Sequence, residues 1–257
     1  MHLLPLPGNG HMSEPHTTAV EFKHVTKSFG TKHVLNDVSF HVNQGQALCL
    51  LGRSGTGKSV TLKLIMALMR PDSGEVWVDQ DDVVGMGEKN LSLVRKKLGY
   101  LFQDAALFDS LTLYENLALP LRRLTKQTKQ EIDDVVHRIL TDVGLGADGE
   151  KYPSALSGGM KKRAGLARAL VLEPKILLAD EPSSGLDRIT ASEIDEVLMR
   201  RKTEHGTALI IVTHDVHGAR RIADRVGVLD KGNLVAFGSV DEVSQSENEV
   251  ARKLITE

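Results

Sequence analysis

Five consecutive apolar residues, Ala47-Leu48-Cys49-Leu50-Leu51, run without a break into Gly52-Arg53-Ser54-Gly55-Thr56-Gly57-Lys58-Ser59. The apolar run has the length and Leu-rich character of a strand covered on both faces, which is the habit of a parallel sheet flanked by helices. The segment after it matches G-x-x-x-x-G-K-[ST], and Ser59 to Met69 reads as a helix stopped by Arg70-Pro71-Asp72-Ser73-Gly74. Strand, glycine-rich loop and helix in that order leave a chain few choices. The glycines let successive N–H groups face phosphate oxygens, and the helix N-terminus adds its dipole. Lys58 reaches the β and γ phosphates, and Ser59 offers a hydroxyl to Mg2+. The competing reading is a structural turn rich in glycine.

The chain has 257 residues, enough for one large α/β domain or two small ones. Its 32 Lys and Arg against 34 Asp and Glu leave a formal charge of −2, which argues against a basic nucleic-acid binder and against direct nucleic-acid contact. Cys49 is the single cysteine, so no internal disulfide can form and a reducing compartment is expected. No window approaches about 18 uninterrupted apolar residues, so no membrane-crossing segment is expected. Met1 to Pro7 is too short and too poor in positive charge for a secretory signal. Gly10-His11-Met12 resembles a cloning junction, so residues 1–17 read as a tag remnant and disordered lead-in.

From Val20 the pattern is that of strands: Val20 and Phe22, then Val34 to Val42, with the turn Asn43-Gln44-Gly45 before the buried run. A strand follows at Glu75 to Val78. Ile132, Val135, Val136, Ile139, Leu140 and Val143 recur at helical spacing and end at Gly144. Around that helix, Leu91 to Gly165 reads as mainly helical. Lys175 to Ala179, Ala208 to Val212 and Arg225 to Leu229 return to short apolar strands, with helical stretches near Ser183 to Glu204 and Val216 to Ala223 between them. Strands alternating with helices imply βαβ units and a mostly parallel sheet, here interrupted by a helical insertion.

Ile176-Leu177-Leu178-Ala179-Asp180-Glu181 places two carboxylates at the C-terminal end of a strand, where α/β sheets bind ligands. Taken alone, such a strand end is commonplace. Beside a phosphate loop, Asp180 is positioned to hold Mg2+ through water, and Glu181 to accept a proton from a water attacking the γ-phosphate. Leu156-Ser157-Gly158-Gly159-Met160 precedes the basic helical stretch Lys161 to Leu172 and reads as a second anion cradle at a helix start, with an ordinary glycine-rich cap as the alternative. Two cradles in one chain, separated by the insertion, suggest head-to-tail pairing in which each closes on nucleotide held by the other copy. His214 ends the strand Leu209 to Thr213 and can reach the same sheet edge as Asp180. Its i, i+3 spacing to His217 also fits a metal pair, though no third ligand lies nearby in sequence.

The ordered set Gly52 to Ser59, Gln103, Leu156 to Met160, Asp180-Glu181, Ser184-Gly185-Leu186-Asp187 and His214 resembles the nucleotide-binding domain of ABC ATPases, over roughly Val20 to Gly238. The resemblance implies a P-loop NTPase: an α/β, RecA-like parallel-sheet core with an N-terminal antiparallel β subdomain and a helical ABC-specific subdomain at about 91–165. The ATPase domain would span 18–240, with a short tail at 241–257. It implies ATP and Mg2+ as ligands, with Gln103 sensing Mg2+ and the γ-phosphate, Asp187 working across a homodimer interface, His214 contacting the γ-phosphate, and Phe29 stacking on adenine. For Phe29, an isolated aromatic near a strand end fits packing as well.

Gln103-Asp104-Ala105-Ala106-Leu107-Phe108-Asp109-Ser110-Leu111-Thr112, with Tyr114-Glu115-Asn116, Leu119-Pro120-Leu121 and Met160, is similar to the ATPases of Mla-type phospholipid transporters. That likeness implies a membrane permease and an MCE-type lipid-binding protein as partners, at the cytoplasmic face of the inner membrane. The alternatives are an importer ATPase for another small solute, for which the Ala-Leu-Phe run would be a general docking surface, a soluble ABC ATPase acting on DNA or ribosomes, and a scaffold that keeps nucleotide as a structural ligand. Departures from the family pattern are Arg188 where proline commonly follows the aspartate, Gln80 where a turn glycine is usual, and a polar stretch from Ser239 that puts in doubt a C-terminal regulatory domain of the sugar-importer kind. The clusters Arg95-Lys96-Lys97, Lys161-Lys162-Arg163 and Arg200-Arg201-Lys202 read as solvated helix faces.

Overall fold

A computed structural model describes residues 17–256; the reading of a tag remnant at the N-terminus lies almost wholly outside them. Two sheets organise the chain. The first is antiparallel, in the order β2-β1-β4-β5, from β1 (Thr18–Phe29), β2 (Lys32–Asn43), β4 (Ser73–Val78) and β5 (Asp81–Asp82). The second has the order β10-β9-β3-β8-β7-β6. Its strands are β3 (Ala47–Leu51), β6 (Leu98–Leu101), β7 (Ile176–Asp180), β8 (Ala208–Thr213), β9 (Arg225–Asp230) and β10 (Asn233–Gly238). All neighbours in it are parallel except β9 and β10.

Strands β3, β7 and β8 are buried on both faces, and their period of two divides the interior into two cores. Leu48, Leu50, Leu178 and Ile210 face the antiparallel sheet and Phe22, Val76 and Val78. Ala47, Cys49, Leu51, Ala179 and Ile211 face the helices. Burial pushes the Cys49 thiol up to about 12, aided by the negative charge of Asp195, so this cysteine is an inert core group.

The helical side contains α3 (Leu113–Leu124), α4 (Lys129–Asp142) and α5 (Gly158–Leu170). Thr112 with Glu115 and Thr128 with Glu131 form capping boxes that start α3 and α4. The α4 stripe Ile132, Val136, Ile139 and Leu140 is buried as its spacing requires, each side chain contributing about 1.5–3 kcal/mol. Gly144 follows the helix in the left-handed conformation, its N–H donating to the Thr141 carbonyl at 2.9 Å.

The structure adds detail to two local readings and shortens a third. The stretch read as mainly helical contains β6, which pairs with β7 from Leu98↔Ile176 to Leu101↔Ala179 and forms the edge of the parallel sheet. The helix read as reaching Met69 is α1 (Lys58–Ile65). It closes with Ala67 at φ 50, the Leu68 N–H donating to the Lys63 carbonyl and the Ala67 N–H to the Leu64 carbonyl, a Schellman closure made by alanine in place of glycine. The polar stretch from Ser239 folds into α8 (Val240–Ser244) and α9 (Glu249–Thr256), with Ala251 and Ile255 buried in the helical-side core. At the other two noted departures, Gln80 sits in a tight turn at φ 70, and Arg188 is the first residue of α6 (Arg188–His205), a position open to proline and arginine alike.

Candidate nucleotide site

Parallel pairing brings the C-terminal ends of the central strands into line: Leu51 of β3 pairs with Thr213 of β8, and Asp180 of β7 with Val212. The residues that follow them share one open cleft of about 760 Å3, lined by Phe29, Arg53, Ser54, Gly55, Gly57, Lys58, Ser59, Gln103, Asp180, Glu181 and His214. Most of the residues picked from the sequence therefore meet at one sheet edge. Lys32, Val34 and Val60 also line it, outside the motifs that the sequence marks. Val34 and Phe29 supply an apolar end to the cleft; the β2 alternation carried a signal for Val34, but none marked the other two.

The loop is shaped by close contacts. Gly57, the N-cap of α1, has φ 107, and a Cβ there would stand 2.7 Å from the Val34 carbonyl oxygen and 2.6 Å from Leu35 Cδ2. The Thr56 hydroxyl donates to the Arg53 carbonyl at 2.9 Å. Lys58 Nζ donates to the carbonyls of Gly52 at 2.6 Å and Arg53 at 3.1 Å. Burial holds the Lys58 amine below the usual lysine value, against the pull of Glu181 and Asp180.

The Ser59 hydroxyl donates to Asp180 Oδ1 at 3.1 Å. Burial pushes the Asp180 carboxyl above the usual range, with the Ser59 hydrogen bond working the other way, and it also pushes the neighbouring Tyr100 hydroxyl up. Among the described residues no group of three or more His, Cys, Asp or Glu could hold a metal ion. A cation here would rest on one carboxylate, the Ser59 hydroxyl and the Gln103 amide oxygen, a hard-oxygen set suited to Mg2+. A buried carboxylate with a raised pKa is a group that a cation would relieve.

Glu181 has the left-handed φ of 50. Its N–H donates to the Val212 carbonyl at 2.9 Å, and its Oε2 accepts from the Thr213 hydroxyl at 3.2 Å and lies 2.8 Å from His214 Nδ1. The Glu181 side chain is 13% exposed, so the carboxylate opens to the cleft while being gripped from β8.

Ser157, Gly158, Gly159 and Asp187 stand apart from that cleft. Ser157 caps α5 by accepting from the Met160 N–H at 3.2 Å, and Asp187 caps α6, accepting from the N–H groups of Ile189 and Thr190. The Thr190 N–H and hydroxyl hold the exposed Asp187 carboxyl below the usual range. The two caps adjoin, since a Cβ on Gly159 would lie 2.7 Å from Thr190 Cγ2. One face thus presents both caps to solvent, and Ile189 beside them is 76% exposed.

A family described as ABC transporter matches residues 35–184. The chain is 44% identical over 248 residues to the probable ribonucleotide transport ATP-binding protein mkl of Mycobacterium leprae, covering 96% of this chain and 71% of that protein. It is 40% identical over 258 residues to the methionine import ATP-binding protein MetN of Corynebacterium efficiens, covering 98% and 72% respectively. Among solved structures it is similar to an ATP-binding cassette in a dimeric, post-hydrolysis state bound to ADP and Pi, with TM-score 0.80 and 32% identity over 86% of this chain and 98% of that one. It is also similar to cbiO1 of Clostridium perfringens, part of an ABC transporter complex, with TM-score 0.80 and 26% identity over 93% and 99%.

Proposed function

We propose that this chain, which belongs to the ABC transporter family as an ATP-hydrolysing subunit, powers a membrane permease that moves phospholipid in an Mla-type system. The observation that carries the mechanism is the gathering of Lys58, Gln103, Asp180, Glu181 and His214 around one cleft beside the Gly52–Ser59 loop. The cargo rests on the segment Gln103 to Thr112 with Tyr114 to Asn116, Leu119 to Leu121 and Met160, which is similar to the ATPases of that system.

In this reading Phe29 and Val34 receive the adenine, and the loop N–H groups with Lys58 hold the phosphates. Ser59, Asp180 and Gln103 would hold Mg2+, which would neutralise charge on the β and γ phosphates. Two copies close head to tail, so that Ser157, Gly158 and Gly159 of one meet the γ-phosphate held by the other, with Asp187 at the seam. Glu181 takes a proton from the attacking water as the water oxygen bonds to the γ-phosphorus and the bond to the β–γ bridging oxygen breaks. His214 and Lys58 steady the charge that develops, and separation of the products lets the pair open and resets the permease.

No helix among the described residues is long and apolar enough to cross a membrane. By its likeness to Mla-type ATPases, the chain is proposed to work at the cytoplasmic face of the inner membrane by docking on its permease, with an MCE-type protein in the same assembly. A second reading, an importer ATPase for a small solute, is favoured by relatives whose names specify ribonucleotide and methionine transport. The decisive experiment is to solubilise native membranes gently, capture this chain and identify what travels with it by mass spectrometry. A permease, an MCE-type protein and phospholipid are expected; a permease with a different solute-binding protein would replace the cargo.

A further inference from the structure

Lys162 lies in the second turn of α5 and is only 9% exposed, an unusual place for an ammonium group. Among the described residues it has no carboxylate partner within ion-pair distance. Its Nζ donates to the backbone carbonyl of Glu181 at 2.8 Å and to the Ser184 hydroxyl at 3.1 Å. The Ser184 hydroxyl donates to the same carbonyl at 3.1 Å, and the Ser184 N–H at 3.2 Å. Three donors thus converge on the one carbonyl of a residue held at φ 50, a conformation that residues with a Cβ rarely adopt and that surroundings must enforce.

Rotating the Glu181 peptide back to the ordinary region would redirect both this carbonyl and the side chain that follows from the same Cα. The carbonyl clamp therefore fixes the direction in which the carboxylate meets the cleft. Burying a cation to make it costs free energy that Asp104, Glu181 and Asp180 partly offset through their charges. Asp104 follows Gln103 directly, and α5 grips that segment as well, because Arg168 donates to the carbonyls of Ala105, at 3.2 Å, and Ala106.

From these contacts we infer that Lys162 is a positioning residue for Glu181: it acts through the Glu181 backbone from outside the lining of the cleft. The inference rests on the reading of Glu181 as the base. A displaced base loses rate without loosening ATP. The K162M protein is expected to bind ATP within about twofold of wild type while its kcat falls about 10- to 100-fold, with K162R restoring most of the rate. In an E181Q background, K162M is expected to change the residual single-turnover rate by less than about twofold, because the group it positions is gone. S184A, a gentler cut at the same clamp, is expected to lower kcat several-fold at unchanged ATP affinity.

A kcat unchanged by K162M, or an equal loss with and without Glu181, would overturn the inference. If K162M does not fold, an unaltered kcat in S184A does so alone. An E181Q protein that hydrolyses ATP as fast as wild type would instead remove the base assignment itself, so the two failures are distinguishable.

Discussion

Glu181 Oε2 and His214 Nδ1 stand 2.8 Å apart, and the Thr213 hydroxyl donates to the same carboxylate oxygen. The pair joins the ends of β7 and β8, so the carboxylate is held by one strand's successor while being carried by the other's. An E181Q protein keeps the shape and loses the proton acceptor. Steady-state phosphate release is expected to fall at least about 100-fold, while filter binding shows ATP still held. Release at the wild-type rate would refute the assignment.

Gly57 leaves no room for a side chain. At φ 107 and with the Val34 carbonyl oxygen 2.7 Å from where a Cβ would stand, G57A must move backbone at the start of α1. A loss of about 2 kcal/mol or more in stability is expected from urea titration, together with weaker ATP binding, since the same shift turns loop N–H groups away from the phosphates.

Asp195 of α6 is 4% exposed, and burial pushes its carboxyl from the ordinary 3.8 up to about 6 against the pull of Arg221 3.6 Å away. Below about pH 4 the group is protonated folded or unfolded and contributes nothing. As pH rises from about 4 to 6 the unfolded chain ionises this group while the folded protein keeps the proton, so wild-type stability falls across that window and levels off above it. D195N escapes this and is expected to gain about 1–3 kcal/mol at pH 8, with little gain near pH 3.5, below the unfolded value. Thermal midpoints of both proteins at the two pH values would settle it, and an equal gain at each would refute the account.

Ile189, 76% exposed beside the Asp187 cap, is an apolar side chain awaiting a surface. I189D is expected to abolish ATP-dependent pairing, followed by light scattering in the E181Q background, while leaving ATP affinity of the single chain within about twofold. A dimer that persists would move the interface elsewhere.

How much of this was legible in sequence depended on whether a signal was local. The strand at Ala47 to Leu51, the loop after it and the α4 stripe carry their own periodicity and turn chemistry, and the chain folds as they predict. Strand β6 has only four residues, too few for a period, and its pairing with β7 is set by a partner almost eighty positions away. The early end of α1 was hidden because Ala67 takes the place where glycine would have announced it. At Ser239 the signal existed, a capping box with Glu242 that the polar composition masked. In the site, residues contiguous with a motif were visible, whereas Lys162 was read as part of a solvated basic face. Only the approach of α5 to the end of β7 turns it inward.

Lys58 bonded to the carbonyls of Gly52 and Arg53 has one more consequence. The ammonium crosses back over its own loop like a drawstring, so an anion recruits it by exchange instead of by ordering a slack segment. A lone weak anion offers the lysine no better bargain than two carbonyls. A polyphosphate offers more, because its other oxygens can engage several N–H groups at once while one of them draws the ammonium away.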